Sequence, residues 1–193
     1  KFIMKYQECD DLKLKKLNYG LQGIYSLVVK LTVIIIISII TKTISQTLLF
    51  LLFYSGIRTY SFGWHAKTNI GCWISSIIVY NIIPLLIKNY IISDIIGYII
   101  LGIASISMIL WSPADTPKRP LIRKTHRKKC KIISTSVIIV YIFLFIINKN
   151  NMINNAIIYA SLIQSLFINP LFYKLTNTKY NNYKYYKKRI NMV

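Results

Sequence analysis

His65 and Cys72 set an imidazole and a thiol seven residues apart, within Arg58-Thr-Tyr-Ser-Phe-Gly-Trp-His-Ala-Lys-Thr-Asn-Ile-Gly-Cys72. Seven helical steps make about two turns, so on a helix both side chains would point the same way. A thiol is a weak nucleophile near neutrality. A neighbouring imidazole takes its proton, and nearby cations or a helix terminus stabilise the thiolate. The chain holds only two histidines and three cysteines. A plainer reading stands beside this one, in which Cys72 is a small buried apolar residue and His65 a satisfied loop histidine.

The surrounding elements must hold this pair at a membrane boundary. Hydrophobic residues make up 54% of the 193 residues, and mean hydropathy is +0.48, yet the formal net charge is +20. Apolar spans alternating with basic loops reconcile these values, and a soluble domain does not. The expected fold is all-α, a polytopic integral membrane protein with about six transmembrane helices and a short N-terminal interfacial segment. Residues 1–193 read as a single domain, without internal repeats. The opening residues do not read as a signal peptide. An odd, sparse set of cysteines, Cys9, Cys72 and Cys130, suits a reducing compartment.

Six apolar segments are expected, at 24–41, 43–57, 70–87, 91–110, 132–147 and 152–173. The second is short, about 22 Å as a helix. The break at Thr41-Lys42-Thr43 is the weakest joint, because residues 31–57 would also suit one long tilted helix. Residues 1–16 are too polar to span and are expected along the surface. Pro84 is expected to kink the third span. Basic residues test the topology. Five lie in residues 1–16, two in 58–69, eight in 112–131 and six in the tail from Lys174. The intervening connections hold only Lys42, Lys88 and Lys149, and Lys30 falls inside an apolar run. The positive-inside rule places the rich set, and with it the His65–Cys72 region, in the cytoplasm.

Other candidates are weaker. A zinc site needs three or four ligands. His126 and Cys130 supply two, in a loop whose cations oppose metal binding, so no metal or cofactor is expected. Outside the N-terminal segment the acids are Asp94 and Asp115. Asp94 falls near the far surface. Asp115 lies on the correct side to orient His65, but a turn role before Thr116-Pro117 is the simpler one. A dyad without an acid is preferred. The cations of 112–131 fit topology and anionic headgroups, or docking of an acidic peptide. No nucleic-acid recognition module surrounds them. The Tyr- and Lys-rich tail suits an interfacial belt.

Arg58, Gly63-Trp-His-Ala66 and Cys72, with Ser112-Pro-Ala-Asp-Thr-Pro-Lys-Arg-Pro120 and the basic run after it, resemble the accessory gene regulator B (AgrB) family. These are membrane peptidases that process autoinducing-peptide precursors in quorum sensing. The family pattern runs Arg, Gly-Gly-x-His-Ala, Cys, and Phe62 stands here where the first glycine usually does. The resemblance implies His65 and Cys72 as the catalytic pair. It also implies Arg58, Gly63, Lys118 and Arg119 as substrate-binding or functionally sensitive positions. Such enzymes cut a small precursor peptide, release its acidic C-terminal tail and hold the rest as a thioester. An internal Cys or Ser then closes a thiolactone or lactone ring. The expected partners are that precursor, the lipid bilayer and, as one option, a second copy of the chain, with no nucleic acid. The competing class is a non-enzymatic membrane protein for peptide export or immunity, in which Cys72 is replaceable.

Overall fold

The structure, a computed structural model, describes residues 11–117 and 119–190. Its helices are α1 (Asp11–Ile40), α2 (Ile44–Ser61), α3 (Asn69–Asn89), α4 (Asp94–Trp111), α5 (Lys124–Ile147), α6 (Asn151–Ile168), α7 (Pro170–Leu175) and α8 (Asn182–Ile190). The first six coincide with the six apolar segments. The first begins much earlier than the apolar run, because the Lys- and Leu-rich stretch from Asp11 is itself strongly helix-forming. Of the surface segment expected at 1–16, residues 1–10 lie outside the described residues. Residues 11–16 are not separate from the first helix but continuous with it.

Four helices are long and apolar enough to cross a membrane: α1, α3, α4 and α5. Their outer faces expose large apolar side chains, such as Ile95, Ile99, Ile103 and Ile106 on α4 and Ile139, Phe143 and Ile146 on α5. Such faces suit lipid and would be a liability in water. Together with the basic connections they mark a membrane protein. The expected six spans are thus matched by four on length and composition.

The two remaining long helices, α2 and α6, have a different character. They pack against each other, with α3, α4 and α5 around them. Helix α6 buries Asn154, Asn155, Ser161, Gln164 and Ser165, and α2 buries Thr47 and Ser61. Their polar side chains face protein, where partners exist, and lower the hydropathy of the segment. Close approach is built in at Gly56, where a Cβ would stand 2.7 Å from the Tyr141 hydroxyl. That hydroxyl donates to the Phe53 carbonyl at 2.6 Å and ties α5 to α2.

The ambiguous joint at 41–43 is a true break. Lys42 takes a left-handed φ of 56°, and the amide of Thr43 donates to the Ser38 carbonyl at 2.8 Å. This closes α1 as a Schellman-type terminus. Lys88 Nζ reaches from the end of α3 to the carbonyls of Thr41 (3.4 Å) and Lys42 (3.2 Å). Asn155 donates to the Tyr90 carbonyl at 2.7 Å, so the start of α6 meets the end of α3. The poorly charged connections therefore gather at one end of the bundle. Pro84 sits inside α3, which continues through it. The sixth apolar segment does not run unbroken to 173. Pro170 lacks an amide hydrogen, and Asn169 caps α7 by accepting from the Leu171 amide at 2.9 Å.

Candidate functional site

Thr68 starts α3 by accepting from the Gly71 amide at 3.0 Å. This cap fixes the first turn and places Cys72 there, where the helix dipole favours negative charge. His65 is not on a helix. Residues 63–68 form an extended loop that folds back over the start of α3. His65 Nε2 lies 3.3 Å from Cys72 Sγ. The seven-residue gap thus brings the pair together through a loop, not through the two helical turns expected from spacing. His65 Nδ1 donates to the Ala66 carbonyl at 3.1 Å, which assigns the proton to Nδ1 and leaves Nε2 as acceptor for the thiol. A backbone carbonyl holds the imidazole, and no carboxylate is needed for that task.

The loop is held by residues far apart in sequence. Arg58 Nη2 donates to the Trp64 carbonyl at 2.6 Å, and Nη1 lies 3.4 Å from Gln164 Oε1. Its guanidinium stacks near Tyr54 and Phe167, at 5.7 and 5.4 Å from their ring centroids. The Trp64 amide donates to the Phe167 carbonyl at 2.7 Å, and the Gly63 amide to the Ala114 carbonyl at 2.8 Å. Gln164 Nε2 donates to the Phe62 carbonyl at 2.7 Å. Gly63 has φ +117°, and a Cβ there would stand 3.0 Å from the Phe167 carbonyl oxygen, so both conformation and space call for glycine. Phe62 itself holds φ 58° and ψ −129°, a region that also favours glycine. The departure from the Gly-Gly pattern therefore keeps the turn at a local cost.

The Pro-rich segment at 112–121 is a loop, but one that is partly buried. Ala114 and Asp115 are buried, and the Tyr173 hydroxyl donates to the Ala114 carbonyl at 3.2 Å. Burial pushes the Tyr173 phenol far above its ordinary range, with Asp115 adding to the rise, so it stays a neutral donor. Asp115 makes no hydrogen bond to His65. Its carboxylate accepts from the amides of Asn182 and Tyr183, each at 2.8 Å, and from Leu121 at 3.3 Å. It caps α8 from a distant loop. Arg119 is exposed in this loop and does not line the cavity beside Cys72. Lys118 lies outside the described residues.

Cys72, His65 and Arg58 open onto a cavity of about 730 Å³ between α1, α2 and α3. Its walls are mainly aliphatic, with Leu27, Leu31 and Ile34 from α1 and Leu48, Leu51 and Leu52 from α2. The size and mixed lining are those of a ligand site. Gln164, Tyr54 and Phe167 carry no sequence signal for this site, and Lys30 carries a weak one. Lys30, from α1, lines the cavity with its Nζ 3.0 Å from Cys72 Sγ. Its only sequence signal is being the one basic residue in an apolar run.

With thiol, imidazole and helix terminus in this arrangement, the site has the parts of a cysteine nucleophile on a membrane-protein scaffold. The chain belongs to the accessory gene regulator B family, whose model matches residues 1–168. Putative AgrB-like proteins are similar in Listeria monocytogenes serovar 1/2a (34% identical over 179 residues) and Listeria innocua serovar 6a (32% over 175). Each alignment covers 89% of this chain and 84% of the relative. The accessory gene regulator protein B of Staphylococcus epidermidis is 29% identical over 175 residues, covering 89% of this chain and 88% of that one. No solved structure matches. Membership supports a role in the accessory gene regulator (agr) quorum-sensing system.

Proposed function

We propose that this protein is a membrane-embedded cysteine endopeptidase and cyclase acting on a small pheromone precursor. The observation that carries the reading is Cys72 Sγ at 3.3 Å from His65 Nε2 on the wall of an apolar cavity. His65 takes the thiol proton, and Cys72 attacks the scissile carbonyl. The tetrahedral adduct collapses with loss of the amine of the acidic tail, which takes the proton from His65. The peptide remains as a thioester until an internal Cys or Ser attacks it and closes the ring. Aliphatic cavity walls keep water from the acyl-enzyme and favour cyclisation over hydrolysis.

In this reading α1 to α6 cross the membrane six times and the catalytic pair lies on the cytoplasmic side. Three bonded pairs support one shared end, Gly63 to Ala114, Trp64 to Phe167 and Asp115 to Asn182. The basic connections meet there, while Lys42 and Lys88 meet at the other end. The exposed Arg119 suits the acidic tail of the precursor by charge, and Lys118 adds a second positive charge next to it in sequence. Labelling of a cysteine at Lys149 only from the cytoplasm would overturn the topology.

The test of the chemistry is adduct trapping. Cys72→Ala and His65→Ala abolish precursor cleavage and remain membrane-inserted. The parent forms a hydroxylamine-sensitive adduct of the size of the retained peptide, and Cys72→Ala forms none. A precursor whose tail carboxylates are amidated reacts more slowly, unless Arg119 has become Gln. Normal cleavage by Cys72→Ala refutes the nucleophile assignment.

A further inference from the structure

Lys30 is an ammonium in a helix that is otherwise apolar at that level. Ionisable groups inside a membrane segment need a partner, and their presence marks function by default. The five acids of the chain are Glu8, Asp10, Asp11, Asp94 and Asp115. None lies in α2 or α3, or in α1 beyond its first residue. Asp11 is some 28 Å away along the helix. Asp115 is engaged with the start of α8. What meets Lys30 is Cys72 Sγ at 3.0 Å and the face of Trp73, whose ring centroid is 5.6 Å from Nζ.

We propose that Lys30 is the third catalytic residue, the counterion first of the Cys72 thiolate and then of the oxyanion that forms beside it. This rests on the reading of Cys72 as the nucleophile. An ammonium donates and cannot accept, so sulfur must offer it a lone pair. The S–H is then free to point to His65 Nε2, which lies 3.3 Å from the sulfur. Transfer of that proton leaves a thiolate flanked by imidazolium and ammonium. When the S–C bond forms, the carbonyl π electrons move to oxygen, and Nζ stands within reach of the new charge. Collapse restores the carbonyl, breaks the C–N bond and sends the His65 proton to the amine. Lys30 keeps its proton throughout. The other polar groups on this cavity are Tyr54, Ser55 and Arg58 from α2, Trp64 from the loop, and Ser75, Ser76 and Tyr80 from α3. Arg58 does not replace Lys30, because its guanidinium is committed to the Trp64 carbonyl.

The test uses the full chain in proteoliposomes, with Cys9 and Cys130 replaced by Ala. Iodoacetamide alkylation of Cys72 is followed against pH, and precursor cleavage is measured in parallel. Lys30→Met keeps the length of the side chain and suits an apolar helix. It should alkylate roughly tenfold more slowly at neutral pH, recover at higher pH, and lose roughly 10- to 100-fold in cleavage, as for a lost charge-assisted contact. Lys30→Gln, the second neutral variant, should behave alike, and Lys30→Arg should retain most of both rates. A Lys30→Met alkylation curve that superimposes on the parent's overturns the proposal, whether or not cleavage is lost. If Cys72→Ala is inactive while Lys30→Met is unchanged, only the lysine assignment fails. If Cys72→Ala still cleaves, the underlying nucleophile reading fails.

Discussion

The molecule holds two histidine–cysteine pairs, and their surroundings separate them. His65 and Cys72 lie 3.3 Å apart through a loop and a helix start, on the wall of a cavity that Lys30 also lines. His126 and Cys130 lie 3.7 Å apart, one turn from each other on α5. Cys130 is only 3% exposed, and neither residue lines the cavity beside Cys72. The second pair satisfies the simple spacing rule better than the first, because an i, i+4 helical pair needs no help to meet. The first must be assembled by Arg58, Gln164, Gly63 and Ala114. Proximity of a thiol and an imidazole is therefore cheap. Access, a proton-directing carbonyl and a neighbouring cation distinguish a site from a contact.

The largest effect expected on the remote supports of the first pair is at Arg58. Arg58→Met keeps much of the apolar stem but removes the donors to the Trp64 carbonyl and Gln164. A hydrogen bond to a charged group contributes about 1.5–3 kcal/mol. If that energy holds the loop in register, cleavage falls roughly 10- to 100-fold, since misplaced catalytic groups cost that much. Cys72 should also alkylate more slowly at neutral pH, because His65, its proton acceptor, sits on that loop. Full activity in Arg58→Met would show that the loop holds itself, and the contrast between the pairs would lose its main support.

Much of this was legible in the sequence, for identifiable reasons. Hydrophobic runs and basic connections locate the helices α1 to α6 because burial in lipid and the charge bias act locally along the chain. The Arg58, Gly63, His65 and Cys72 set was legible as a motif, but not how it is built. Helical spacing suggested a shared face, whereas a left-handed turn at Phe62 and Gly63 swings His65 over α3. Lys30 was visible only as an anomaly, since its partner lies 42 residues away and depends on how α1 packs on α3. Asp115 was legible as a loop residue, but its capping of α8 needs a tertiary contact across 67 residues. The inner position of α2 and α6 follows from their buried polar side chains, which hydropathy alone reads as weaker spans.

An intermediate effect is expected at Phe62, where the turn that builds the first pair is strained. A non-glycine residue at a sparsely populated positive φ costs about 1–3 kcal/mol. At an ordinary helical or extended position Ala is more stabilising than Gly, by roughly 0.5–1 kcal/mol. Here the order should reverse. Phe62→Gly should unfold at higher denaturant or temperature than Phe62→Ala, by about 1 kcal/mol, since both lose the phenyl ring and only one relieves the backbone. Cleavage by Phe62→Gly should be retained. If Phe62→Ala is the more stable of the two, the turn is not strained and the glycine preference has another cause.

The smallest effect is expected at the second pair, and it completes the comparison. Cys130→Ala removes one buried sulfur from α5, and deleting so few core atoms costs about 1 kcal/mol of stability. His126 is exposed, so losing its long contact with the sulfur adds little. Cys130 is buried and does not line the cavity beside Cys72. Cleavage by Cys130→Ala should therefore stay within about twofold of the parent, in line with substitutions away from a site. The adduct with the retained peptide should form as before. Loss of the adduct in an inserted, folded Cys130→Ala would mean that the α5 thiol takes part in acyl transfer. In that case access as read from the cavity is not what separates the two pairs.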